Sequence, residues 1–77
     1  MDIANLVHMA NRIGDFHASF TDRQEALEAT AGHIHKFWAP RMRRELLVQL
    51  DQSTTQALHP LVREALTQHR QALMPAA

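Results

Sequence analysis

Apolar residues return along this chain every three or four positions, in four separate stretches. In the first, Ile3, Leu6, Val7, Ala10 and Ile13 fall on one face of a helix, and Phe16 or His17 and then Phe20 prolong the stripe. Asp2 stands where an N-cap belongs, so the spacing predicts a helix over 2–18. Gly14 interrupts the pattern at a cost of up to ~1 kcal/mol against alanine, and its missing side chain would let another helix approach closely. The second stretch opens on "TDRQEAL". Thr21 with Gln24, or Asp22 with Glu25, has capping-box spacing, and Asp22 and Glu25 place negative charge where the helix dipole favours it. Leu27, Ala31, Ile34 and Trp38 then share a face, which predicts a helix over 22–38.

Pro40 disfavours a helical Ala39 and has no N–H to donate. It also suits the first position of a new helix, so the chain is expected to turn at Ala39–Pro40 and run on as a third helix over 40–51, with Met42, Leu46, Leu47 and Leu50 inward. "QSTT" is a polar connection. A fourth helix over 58–73 carries Leu58, Leu61, Val62, Ala65, Leu66, His69 and Leu73 on its apolar side, and the tail 74–77 is expected to fray. The chain therefore reads as one all-α domain over 1–77, a small bundle of three to four helices with a helix–Pro–helix corner.

Composition narrows the setting. The chain has 77 residues and no cysteine, so disulfides cannot supplement a core this small. No apolar run reaches the ~20 residues of a membrane span, and "MDIANLVHMANRIGDF" lacks the basic start and unbroken apolar centre of a signal peptide. A cytoplasmic setting is expected. Eight basic residues balance eight acidic ones, unlike the strongly basic total of most dedicated nucleic-acid binders. The charge is nevertheless uneven, because no acid occurs from Ala29 to Arg44 whereas Lys36, Arg41, Arg43 and Arg44 do.

That basic segment, "HIHKFWAPRMRREL" from His33 to Leu46, is where chemistry would concentrate. His33 and His35 are two positions apart and diverge by about 200° on a helix, whereas helical metal pairs use i, i+3 or i, i+4 spacing. No metal site is expected, although a long-range pairing such as His17 with His33 stays open. No nucleophile elbow or glycine-rich phosphate loop is present, and the helix-start carboxylates are explained by capping, so neither catalysis nor a bound cofactor is expected. Arginines at a helix start oppose the dipole, which points to another use: bidentate pairing with carboxylates, or contact with phosphates. Phe37 and Trp38 are adjacent and face different ways. Trp38 continues the inward stripe, and Phe37 projects elsewhere, beside arginines, as at protein–protein hot spots. A helical nucleic-acid-binding module using Lys36, Arg41, Arg43 and Arg44 is the alternative, and self-association is a third reading.

Two segments carry a family resemblance. "MANRIGDF" supplies Ala10, Asn11 and Ile13, and "HIHKFWAPRMRREL" supplies His33, Lys36, Phe37, Trp38, Pro40, Arg41, Met42 and Arg43. Together they resemble the delta subunit of NAD-dependent formate dehydrogenases over roughly Ile3 to Leu50. His17 stands where a second aromatic after Phe16 is expected. The resemblance implies a cofactor-free, non-catalytic accessory subunit. Its expected partner is the large alpha subunit of a soluble multi-subunit enzyme, in which other chains hold the molybdenum or tungsten pterin, the iron–sulfur clusters and FMN. Asn11, Phe37, Trp38, Arg41, Arg43 and Arg44 are the expected interface or motif-scaffold residues.

Overall fold

A computed structural model describes residues 2–76 and is all-helical among them. Helix α1 spans Ile3–His17 and begins as the sequence suggests, with the Asp2 side chain accepting from the amide of Ala4 at 3.1 Å. Its buried side is Leu6, Val7, Ala10, Gly14 and His17. Helix α2 spans Arg23–Phe37. Asp22 rather than Thr21 is its cap, accepting from the amide of Gln24 at 3.1 Å. Its inward face holds Ala26, Leu27, Thr30, Ala31 and Ile34, and Trp38 beyond its end is 6% exposed.

The corner forms at Ala39, which is extended (φ −63°, ψ 149°), and Pro40 is the first residue of α3, Pro40–Val48. The expected third helix stops earlier than position 51, because the bonds from Gln49 to Leu46 and from Leu50 to Leu47 are of the tighter i→i+3 type. Within the polar connection a single 3₁₀ turn, Ser53–Thr55, buries Thr55, whose hydroxyl faces the carbonyls of Gln49, Leu50 and Gln52 at 2.9, 3.0 and 3.1 Å.

The stretch expected as one helix over 58–73 is two. Helix α4 spans Pro60–Gln68 and α5 Arg70–Leu73, with His69 (φ −107°, ψ 22°) between them. No proline or glycine marks this break. Tertiary contacts set it: the turn brings Leu73 to 1% exposure in the core and presents its carbonyl to Arg43 Nε at 2.9 Å. Of the tail, Met74 packs against the core and Pro75 is half-buried, while Ala77 lies outside the described residues.

Glycine does the expected work at one position. A Cβ on Gly14 would lie 2.7 Å from Val62 Cγ2 and 3.1 Å from His59 Cγ, so α4 crosses α1 where no larger residue fits. One continuous core results, drawn from the five α-helices of the described residues and from Trp38, Leu50 and Leu58.

Candidate interaction surface

The helix ends decide which basic residues are free. A helix leaves its last carbonyls without intrahelical partners, and arginine is suited to satisfying several at once. Arg43 donates through Nε to Leu73 O, and through Nη1 to His35 O at 3.1 Å and Trp38 O at 3.2 Å. It thereby ties the ends of α2 and α5 to α3. Arg63 bonds the carbonyls of Leu50 and Thr55, and Arg70 bonds that of Leu47. Arg23 forms an exposed ion pair with Glu64 at 2.7 Å. Among the described residues, the side chains of Arg12, Arg41 and Arg44 form no hydrogen bond or ion pair, and that of Lys36 has only the Phe37 ring, 5.7 Å from its Nζ.

The six expected site residues divide accordingly. Asn11 bridges α1 to the segment before α4, its Nδ2 donating to Ala57 O at 2.9 Å and its Oδ1 accepting from the amide of His59 at 2.7 Å. Trp38 is buried, and Arg43 folds back onto carbonyls. Phe37 (66% exposed), Arg41 and Arg44 face outward.

Sequence reasoning missed a second feature. Phe16 is 70% exposed, and His17, not Phe16, takes the inward place on α1. A run of rings crosses from α1 to α2. Phe16 and Phe20 each lie edge-on to His17 with centroids 5.2 Å apart, His17 is 6.2 Å from His33, and His33 is 4.8 Å from Phe37. A shallow cleft of about 390 Å³ opens among Arg12, Ile13, Phe16, His17 and His33. The signal was present in the sequence, since Arg12–Phe16 and His33–Phe37 are both i, i+4 pairs, which share a helix face.

His17 is the titratable group most affected by this setting. Burial disfavours its charged form and lowers its pKa from the usual 6.5, nearby His33 lowers it further, and a hydrogen bond with the Ile13 backbone opposes both. Thr30, fully buried, donates its hydroxyl proton to Ala26 O at 2.8 Å, so its oxygen is left to accept from His17 Nδ1 at 3.2 Å. The pairing of His17 with His33 left open by the sequence is thus a ring contact. Among the described residues no group of three or more His, Asp or Glu side chains gathers as a metal site would require.

Among the described residues the chain is thus a small all-α domain of five helices that presents an outward aromatic and basic surface. Residues 5–66 match the family model NADH-dependant formate dehydrogenase delta subunit FdsD. The chain belongs to that family, and as a delta subunit it is part of a formate dehydrogenase complex. No curated protein and no solved structure matches it. Among the described residues no helix is long and apolar enough to cross a membrane.

Proposed function

We propose that this chain is a non-catalytic accessory subunit that assembles or stabilises a cytoplasmic NAD-dependent formate dehydrogenase, binding through the large alpha subunit. What supports this reading is the family match, together with the outward Phe37 and the outward, unpaired Arg41 and Arg44 on either side of a corner that the buried Trp38 and the folded-back Arg43 tie together. An exposed aromatic and free guanidinium groups on a fixed scaffold are what a partner's apolar pocket and carboxylates select. Asn11, Trp38 and Arg43 then serve the interface indirectly, by fixing helix positions.

The test is co-expression of the chain with the remaining subunits, followed by affinity capture. Arg41→Glu with Arg44→Glu is expected to reduce recovery of the large subunit while the isolated chain keeps its helical circular dichroism. Arg43 is the wrong residue to reverse, because a carboxylate there would face three carbonyls and damage the fold itself. Undiminished recovery with the Arg41/Arg44 pair reversed would remove these residues from the interface, and formate oxidation by the separated chain would end the non-catalytic reading.

A further inference from the structure

We infer that the docking surface continues from Phe37 across the aromatic face of α1 and α2 to Phe16 and Arg12, and that this part of it receives an acidic, apolar-anchored segment of another subunit of the complex. The inference rests on the subunit reading above and adds to it a surface and the chemistry of its occupant.

Two phenylalanines stand out from this face, Phe16 at 70% and Phe37 at 66% exposure; Phe16 lines the cleft with Ile13 and His17, and Phe37 lies against His33, another of the residues that line it. The fold does not need these two rings in solvent, because the core closes beneath them with Leu6, Ala10, Thr30 and Ile34 all at 1% exposure or less. Large exposed aromatics beside a concave apolar site mark recognition surfaces.

The charges around the face select the occupant. Arg12 lines the cleft, and Lys36 lies over the Phe37 ring, and neither has a carboxylate partner among the described residues. His33 lines the same cleft. The carboxylates that flank them on α1 and α2 are engaged elsewhere: Asp15 faces His59 at 3.5 Å, Asp22 caps α2, and Glu28 accepts from Gln24 Nε2 at 3.3 Å. A second copy of this chain fits badly, since a two-fold contact would set each Arg12 and Lys36 against the same cations. An apolar side chain seated against Ile13, Phe16 and Phe37, flanked by carboxylates that reach Arg12 and Lys36, satisfies both the surface and its charge.

The experiment again captures the co-expressed complex, comparing wild type with Phe16→Ala, which leaves Phe37 in place, with Arg12→Glu/Lys36→Glu, and with the charge-conserving Arg12→Lys/Lys36→Arg. Both side-chain removal and charge reversal are expected to lower retention of this chain by at least about tenfold. The charge-conserving variant stays within a few-fold of wild type, and wild-type retention falls as salt rises. Circular dichroism of each isolated variant checks that its helices are intact. Failure of the wild-type chain to enter the complex would sink the subunit reading itself. Wild-type entry together with normal retention of both disruptive variants would overturn this inference alone. Loss in the phenylalanine variant without loss on charge reversal would overturn the acidic character of the occupant. Sedimentation of the isolated chain as a dimer that Phe16→Ala disperses would overturn it in favour of self-association. Binding of a single-stranded oligonucleotide at low salt, abolished by the same substitutions, would overturn it in favour of nucleic acid.

Discussion

Single side chains here do one of two jobs, and their hydrogen bonds tell which. Arg43 satisfies three carbonyls from two other helix ends. Arg43→Lys keeps the charge but loses the fork, and should cost roughly 1–3 kcal/mol of unfolding free energy in urea. The neighbouring Arg44→Lys should change nothing measurable, because no partner is lost. Asn11→Ala strands the Ala57 carbonyl and the His59 amide and should cost a similar ~1–3 kcal/mol. The sequence marks Arg43 and Arg44 as equal members of a basic run. What separates them is a set of carbonyls 5, 8 and 30 residues away, which no local pattern contains. His17 gives a pH signature. Its pKa in the folded chain lies below the unfolded value near 6.5, so the unfolded state binds more protons as pH falls through that value. The share of stability that depends on His17 is therefore complete above about pH 7 and is lost as pH falls through the unfolded value near 6.5 toward the lower folded one. Urea midpoints measured across this range should fall on acidification, and His33→Gln should shallow the fall by removing the neighbouring charge.

At the scale of the helix, two glycines at ordinary helical positions predict opposite outcomes for one chemical change. Gly32 lies within α2, and a Cβ there meets nothing within 4 Å. Gly32→Ala should stabilise the chain by up to ~1 kcal/mol, the helix-propensity difference. Gly14→Ala sets a methyl against Val62 at 2.7 Å, and relief requires α4 to move. It should destabilise by roughly 1–3 kcal/mol despite the better propensity, and thermal melts of the two variants would check both signs. These elements also show how far sequence pattern reaches. The inward stripes of α1 to α4, the Asp2 cap and the proline corner follow from spacing, because each depends on residues within one or two turns. The break at His69 does not, since its cause is where Leu73 and Arg43 meet in the assembled core. The choice between Phe16 and His17 was legible only in part. Both extend the stripe of α1, and hydrophobicity favours the wrong one; the buried Thr30 hydroxyl from α2 makes the histidine the better-satisfied occupant.

Taken whole, the chain exposes 4777 Å². That is close to the ~4,800 Å² that size scaling gives for a compact monomer of this mass, so folding buries about 60% of what the unfolded chain exposes. The chain is therefore closed around its own core rather than an open arm that needs a partner to fold, but a burial fraction this low leaves the stability margin narrow. Binding to a partner widens that margin by mass action alone: at a free concentration about a hundred times Kd the gain is ~2.7 kcal/mol. Amides that exchange only through global unfolding should then exchange about a hundredfold more slowly in the complex than in the isolated chain. The core of α2 around Thr30, Ala31 and Ile34 is the place to look, by hydrogen exchange with mass spectrometry. Phe16→Ala/Phe37→Ala separates the two contributions. Both rings are mostly in solvent, so the isolated variant should keep its unfolding free energy in urea within about 0.5 kcal/mol of wild type. In the complex the same variant should lose most of the added protection, because the rings matter only where a partner covers them. Equal protection of wild type and variant in the complex would show that the partner docks elsewhere on the chain.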